Sequence, residues 1–566
     1  MIVEALAATR PQAEASPPVD YQTLALPYVR APELGAHGVA TRPVIVVGAG
    51  PVGLTVAIDL ARCGTPVLVL DDDDKLASGS RAICFAKRSL EIWDRLGCGE
   101  AITRRGVSWQ VGKLYFGDDL VYRFDLLPEP GHRRPAFVNL QQYCVEGLLY
   151  DHALAMRGIE MRFRHRVAGV EASDDGVRVD VDTPDGTYSL RCDYLVACDG
   201  SRSTVRQLLG LETHGQVFRD RFLIADVRMR ADLPAERRFW FDPPFHRHGS
   251  ALMHRQPDNV WRLDFQLGWD ADPVAERAPE RVIPRVRAML GEDADFELVW
   301  CSVYTFACTR MARFRHGRVL FAGDAAHCVS PFGARGANSG VEDAANLAWK
   351  LDCVLRGDAP DALLDSYCSE REQAADENIR HSTRSADFLT PKSEASRTFR
   401  DAVLGLARDY PFARRLVNSG RLSTPATHGD SPLNTADADP FEGAMVPGAP
   451  AADAPVARRG ERGWLLDHLG GRFVAMHFAG AAASAPFADR LEPANGVRVE
   501  SLLVTPAHAA QHADALEDAE ALIAARYDAR PGTTYLFRPD QHVCARWRTF
   551  DPAGIRAAVA RATGHA

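Results

Sequence analysis

The sequence predicts an α/β protein in three parts: a Rossmann-like parallel sheet with its helices, a mainly antiparallel β layer interleaved with it, and a smaller α/β domain at the carboxyl end. Three observations carry this reading. Apolar strands closed by a glycine or an acid occur at Val44 to Val47, in YLVACDG and at Val319 to Ala322, each followed by a helical pattern, and continuous apolar runs are the mark of strands buried on both faces. From about 215 to 309 the pattern is predominantly β. Beyond a stretch rich in Pro, Ala and Asp at 421 to 460, short strands resume with helices between them.

The first unit is Val44 to Asp71, a strand, a glycine turn, a helix and a second strand. Gly48, Gly50 and Gly53 stand in the spacing GxGxxG, with Pro51 and Val52 opening the helix that runs to Arg62. The first glycine permits the tight turn, the second lets backbone approach a pyrophosphate, and the third lets helix lie close on sheet. Free N–H groups at that helix start face the phosphates. The second strand, Pro66 to Leu70, ends in Asp71 with Asp72 beside it, where a carboxylate accepts from a ribose hydroxyl. Ser80 and Arg81 follow, and a guanidinium there could pair with phosphate or adenosine ribose or be an ordinary surface group.

Composition bounds the rest. The 566 residues allow about three domains of roughly 150 to 200 residues. The formal charge of −9 is spread along the chain, which argues against a nucleic-acid partner. Twelve cysteines contain no CxxC pair, so neither a zinc site nor a disulfide framework is indicated, and a reducing, cytoplasmic home is expected. The first forty residues lack the basic start and apolar run of a signal peptide, no apolar segment reaches the roughly twenty residues that span a bilayer, and the arm is expected to pack on the body.

Further along, 86 to 96 reads as an amphipathic helix with Ile92, Trp93 and Leu96 on one face. VGKLYF and LVYRFDL, within 107 to 138, suit antiparallel strands. Residues 139 to 156 read as a helix that carries Gln141 and Gln142 at its start, and Val170 to Ser189 is a hairpin turning at Pro184 to Gly186. The next strand ends in Asp199 and Gly200, with a helix from Ser203 that includes Arg206. One helix is expected between Ala278 and Leu290. The strand Val319 to Ala322 is closed by Gly323 and Asp324, and the loop SPFGARGANSG leads into a helix for which Ser339 and Glu342 fit a capping box. Its dipole and free N–H groups point at whatever sits over Gly336 to Gly340. Residues 361 to 420 read as helical and charged, and in the last domain helices are expected at 507 to 526 and 552 to 563.

GAGPVG with Asp71, CDGSRSTVR from 198 and GDAAH from 323 stand in the order and spacing of the single-component FAD-dependent aromatic hydroxylases, the group A flavoprotein monooxygenases, and over about 41 to 390 the chain resembles that family. The closing RPDQHVCARW resembles the thioredoxin-like domain of phenol and polyketide hydroxylases, here without a CxxC, so that packing or oligomer contact is the better reading of Cys544. The resemblance implies an FAD-binding Rossmann-like domain of the glutathione reductase type in parts 41–110, 139–214 and 310–390, substrate-layer strands at 111–138 and 215–309, a helical region and linker at 391–440 and the thioredoxin-like domain at 441–566, after the extension 1–40. It implies FAD contacts at Asp199, Gly200, Arg206, Gly323 and Asp324, at Pro331, Gly333, Gly336, Ala337 and Asn338 of the loop, and at Gln141 or Gln142, with Arg335 standing where many relatives have Gln.

Only one dinucleotide fingerprint is present, so with FAD in it NADH or NADPH docks transiently elsewhere. The implied cycle uses O2, through a flavin C4a-hydroperoxide, to hydroxylate a phenolic or other activated small aromatic substrate in a homodimer without membrane or nucleic-acid partners. The nearest members by resemblance act on phenols, 3-(3-hydroxyphenyl)propionate or substituted catechols. Candidate catalytic residues are His246, in the turn-rich FDPPFHRHGS with His248, Tyr304 on the last strand of the layer, and Arg262, which anchors an acidic substrate or pairs with Asp264 on the same side of WRLDF. HRH has no partner of metal-site spacing, so no metal is expected. His327 is expected to pack beneath its loop. The alternatives are an FAD-dependent oxidoreductase without oxygen insertion and a non-catalytic flavin-binding protein; a flavin halogenase would show WxWxIP, which is absent.

Overall fold

The structure, a computed structural model, describes residues 21, 23–35, 38–77, 82–417, 422–479, 493–507 and 515–565. Its first sheet runs Arg315–His316, Val319–Phe321, Gly186–Ala197, Ala40–Val47, Val67–Asp71, Ile159–Phe163. From Val319–Phe321 onward each neighbour is parallel, so the carboxyl ends of Val319–Phe321, Gly186–Ala197, Ala40–Val47 and Val67–Asp71 lie side by side. The hairpin turn at 183–186 forms as the alternation predicts, pairing Gly176–Thr183 with the start of Gly186–Ala197. The helices Pro51–Cys63 and Gly336–Arg356 pack against each other. The described part of the amino-terminal arm lies on this unit: the Tyr21 hydroxyl donates to Asp151 Oδ2 at 2.6 Å, and Arg162 holds Glu33 at 2.9 Å.

The second sheet is His327–Cys328, Glu297–Met311, Thr213–Arg228, Val260–Leu267, Ser250–Arg255, Arg237–Phe241, Val111–Phe116, Asp119–Asp125. It is antiparallel except where Arg237–Phe241 meets Val111–Phe116. Period two gives it unlike faces. Leu223, Ala225, Met253, Trp261, Leu263 and Phe265 form a buried core with the helix Pro279–Leu290. The opposite face, turned to the first unit, carries Phe222, Ile224, Leu252, His254, Arg262, Asp264 and Tyr304.

The third sheet is Glu461–Trp464, Pro455–Arg458, Leu516–Asp518, Val499–Pro506, Phe473–Phe478, Thr534–Phe537, Val543–Trp547. Three expectations are corrected. The long helix begins at Gly336, a turn before the capping box; Ser339 lies inside it and its Oγ accepts from Arg371 and Asn378, each at 3.2 Å, because the neighbouring helix Asp365–Leu389 supplies better partners than the backbone. Of 507–526, Leu516–Asp518 is a parallel strand beside Val499–Pro506, and only Leu522–Arg526 is helical; pairing overrides local propensity there. Residues 508–514 lie outside the described residues. The 421–460 linker is, where described, a packed strap: Thr435 N–H donates to Cys544 at 2.8 Å, Ala451 N–H to Gln541 at 2.8 Å, and His428 is fully buried.

A buried ionic knot joins the third unit to the first. Glu370 accepts from Lys350 Nζ at 2.7 Å and from Arg538 Nη1 at 2.5 Å, while Arg538 also holds Asp540 at 2.5 Å. Burial alone would raise both carboxyls, but the opposing cations outweigh it and hold Glu370 and Asp540 well below the usual range. Carboxylates depressed on folding stabilise the fold fully above their unfolded values and lose that contribution as pH falls. Arg538→Met is therefore expected to lower stability by about 3–5 kcal/mol at pH 7, since it strands buried charge. The deficit is expected to shrink below about pH 4, as urea denaturation across a pH series would show.

Candidate active site

The three glycine-containing motifs meet at the carboxyl ends of adjacent parallel strands, where open α/β sheets bind ligands. Their glycines interlock. A Cβ on Gly53 would lie 1.9 Å from the Gly48 carbonyl oxygen, and one on Gly48, at φ +101°, would lie 2.6 Å from the carbonyl oxygen of Cys198 in the second motif. A Cβ on Gly340 would meet Val52 at 2.5 Å. Gly50 differs, since nothing stands within 4 Å of its Cβ position; it faces open space at the start of the helix Pro51–Cys63, which has no side-chain cap. Asp71 accepts from Ala49 N–H at 2.6 Å and Asp73 N–H at 2.9 Å, and burial raises its carboxyl to about 6. Asp72 is exposed next to it.

The third motif hangs on a residue the sequence reading passed over. Asp343, fully buried, accepts from Gly323 N–H at 3.0 Å, holds His327 Nε2 at 2.7 Å and receives Arg371 Nε at 2.6 Å. Burial opposes its charge, but His327 and Arg371 prevail and hold the carboxyl well below its ordinary value. His327 packs beneath the loop as expected, stacked on Phe314. The signal for Asp343 was present in the sequence as an acid set between Val341 and Ala344 on the apolar stripe of the helix.

Gly333 and Ala334 both have positive φ, turning the loop from Pro331 into the helix at Gly336. That helix also lacks a side-chain cap, so the N–H groups of Gly336 and Ala337 point out of its first turn. A Cβ on Gly336 would sit 3.9 Å from Asp324 Oδ1. Asn338 is tied into the fold: its amide donates to the Cys84 and Ala334 carbonyls at 2.9 and 2.6 Å and accepts from Ala86 N–H and Ser89 Oγ at 2.8 and 2.7 Å. Arg335 turns away to Asn378 Oδ1 at 3.1 Å.

Asp199 accepts from Val205 N–H at 3.0 Å beside Gly200, which has positive φ. Arg206 donates to the carbonyls of Ala325 at 2.7 Å and Ser201 at 2.6 Å, clasping the second motif to the third. Of the two glutamines, Gln142 accepts from Ala82 N–H and donates to Glu146, whereas Gln141 is buried with an Oε1 that has no hydrogen-bond partner among the described residues. Ser80 and Arg81 lie outside the described residues.

Across from the loop stands the second sheet. Phe332 packs edge-on to Phe222 at 4.8 Å and Phe306 at 5.5 Å, and Tyr304, opposite Phe222 in register, stacks on Phe306. Arg262 is fully buried, with its ion pair made to Asp226 at 2.7 Å rather than to Asp264. His246 is not brought to this face. Its ring is edge-on to Phe265, Nε2 lies 2.6 Å from the Gln266 carbonyl, and it lines an open cleft of about 520 Å³ with Arg247, His248, Trp269, Lys392 and Arg397. Among the described residues the one group of three potential metal ligands within reach of each other is Asp71, Asp72 and Asp73, to which neither His246 nor His248 belongs. No helix among the described residues is long and apolar enough to cross a membrane.

Two uncapped helix starts, the open side of Gly50 and the partnerless Gln141 oxygen fit a pyrophosphate and a hydrogen-bonding ring system in one bed. The fold and site thus define a flavoprotein of the Rossmann type. Residues 41–382 match the family model described as FAD binding domain. The 6-methylpretetramide 4-monooxygenase of Streptomyces rimosus is 31% identical over 529 residues, covering 89% of this chain and 90% of that one. A probable NADH-specific resorcinol 4-hydroxylase of Rhodococcus jostii (strain RHA1) is 34% identical over 410 residues, 70% and 74% of the two chains. Among solved structures, OxyS anhydrotetracycline hydroxylase from Streptomyces rimosus aligns with a TM-score of 0.70 at 28% identity, over 93% of this chain and 99% of that one. The chain belongs to this family and is an FAD-dependent monooxygenase of the aromatic hydroxylase class.

Because the Gly50 side is open, Gly50→Val is expected to leave thermal stability within about 0.5 kcal/mol of wild type. The same change is expected to weaken FAD binding at least about tenfold, read by fluorescence titration of the apoprotein.

Proposed function

We propose that this enzyme uses NADH or NADPH and O2 to hydroxylate a phenolic or similarly activated aromatic ring. The observation that supports it best is the juxtaposition of an uncapped helix start at Gly336 with an aromatic and polar sheet face across the same loop. FAD, when bound, supplies the electron transfer from the pyridine nucleotide and the activation of O2. The chain's own residues do the remainder. Gly48, Gly50, Pro51, Val52 and Gly53 admit the pyrophosphate, and Asp71 accepts from a ribose hydroxyl. Gln141, rather than the engaged Gln142, meets the flavin edge. Backbone N–H groups of Gly336 and Ala337, with the positive end of a 21-residue helix behind them, stabilise negative charge at the ring's pyrimidine end.

Phe222, Phe306 and Phe332 wall off water and offer flat apolar contact to an aromatic ring. Tyr304 is the candidate of the three that stands on this wall. Arg262 acts through its pair with Asp226 as support for the sheet, and His246 belongs to the outer cleft. The relatives named for resorcinol and for 6-methylpretetramide point to hydroxylated rings, from one ring to fused systems.

The test is a panel of phenols and fused-ring phenols offered to purified, FAD-loaded protein with NADH and NADPH separately under 18O2. A productive substrate is expected to speed reductant oxidation at least about tenfold and to gain one labelled oxygen atom. Reductant consumption that yields hydrogen peroxide with every compound would favour an oxidoreductase without oxygen insertion.

A further inference from the structure

The face of the second sheet turned to the flavin loop holds a group of polar side chains whose hydrogen-bonding capacity the fold leaves unmet. Asp264, on Val260–Leu267, stands between Ile224 and Leu252 in register, two residues from the ion-paired Arg262. Its Oδ1 is buried and meets no hydrogen-bond partner among the described residues. Gln256, the next residue in the alternation that carries Leu252 and His254, is fully buried, and neither its Oε1 nor its Nε2 finds a partner among the described residues. Buried polar atoms are rarely left unpaired, so the Asp264 oxygen, and Gln256 two rows further along the same face beyond His254, mark places completed by something else.

His254 defines the polarity between them. Trp109 Nε1–H can only donate, and it donates to Asn139 Oδ1 at 2.7 Å; the Asn139 amide nitrogen therefore faces His254 Nδ1, at 3.2 Å, and makes that nitrogen an acceptor. Burial and the nearby Arg237 and Arg262 guanidiniums keep the ring neutral, with its proton on Nε2. Arg237, on the same side of Arg237–Phe241, stacks on Trp109. Burial raises the Asp264 carboxyl to about 6 against the pull of Arg262 and Arg237, with Asp226 adding to the rise, so the group is an anion, hence an acceptor alone, at neutral pH.

This group is close to the flavin bed. His254 Nδ1 also touches Cys84 Sγ at 3.8 Å, and the Cys84 carbonyl accepts from Asn338 in the first turn of the helix at 2.9 Å. Cys84 alone separates His254, the diagonal neighbour of Asp264, from the start of the helix that faces the ring.

We propose that Asp264, with His254 diagonal to it across the sheet, is the subsite that receives a hydroxyl group of the aromatic substrate, with Asp264 accepting its hydrogen bond. A donor is what the Asp264 oxygen lacks. An ether oxygen or a carboxylate placed there supplies none and adds repulsion, so the subsite selects rings bearing a free hydroxyl. This rests on the aromatic hydroxylase reading above and adds to it the residue that reads the substrate's polar end.

The test is calorimetric titration of the FAD-loaded protein with 2-naphthol and with 2-methoxynaphthalene, which share a ring system and differ in the donor proton. The wild type is expected to prefer the naphthol. Asp264→Leu is expected to weaken naphthol binding about tenfold, in line with loss of a hydrogen bond to a charged group, and to leave the ether within about twofold, so the preference disappears. Asp264→Asn, which keeps the side chain's shape, removes its charge and leaves the Arg262–Asp226 pair untouched, is expected to reduce the preference as well, and it carries the test should Asp264→Leu fail to fold. A preference undiminished in both variants, or no naphthol binding by the wild type, overturns the proposal. Should the protein take up no FAD, the monooxygenase reading fails separately, and the same titrations of the FAD-free protein still read the donor preference.

Discussion

The buried carboxylate of Asp343 is the constraint on which the cofactor bed depends. It binds the Gly323 N–H, His327 and Arg371 at once, and so fixes the strand end, the loop after it and the helix Asp365–Leu389 to one point. A charge taken out of water needs partners on every side, and here each partner is itself part of a different element. With the third motif fixed there, Val52 can press against Gly323 and Gly340 and Gly48 against Cys198, and the motifs become one surface. The close contacts are possible only because those positions carry no Cβ.

The same economy of buried charge holds the carboxyl-terminal unit in place. Glu370 lies on the helix that also supplies Arg371, and it reaches Lys350 on the long helix and Arg538, which follows the strand Thr534–Phe537 of the third sheet. Arg88, near the glycine bed, donates to the Asp540 carbonyl at 2.7 Å. The third unit therefore bears on the back of the helices that form the cofactor bed. Cys544 sits in this packing, fully buried, and burial pushes its thiol up to about 12, which suits a packing residue and leaves little thiolate for redox chemistry.

The β layer shows how one period of two serves two purposes. Odd-numbered residues of Val260–Leu267 enter an apolar core with the helix Pro279–Leu290, while Arg262 and Asp264 look the other way. The buried polar side chains on that second face are held by one another rather than by solvent, Arg262 by Asp226 and His254 by Asn139.

The parallel strands, the glycine spacing, the acids at strand ends and the alternating layer were legible in the sequence, because each depends on a local period or on the absence of a Cβ within a few residues. Local periodicity also located the helices around Trp93 and Leu347, since an apolar stripe is a property of the segment itself. What the chain alone left open were the partners. Whether Arg262 meets Asp264 or Asp226, whether Ser339 caps a helix or bonds Arg371, whether Gln141 or Gln142 is the unengaged one, and whether 516–518 is helix or strand are settled by groups distant in sequence. The sequence by itself determined the class of site and the positions that must be bare of side chain; only the tertiary structure decided which polar groups are matched and by which partners, because hydrogen bonds and ion pairs between distant residues leave no periodic trace along a chain.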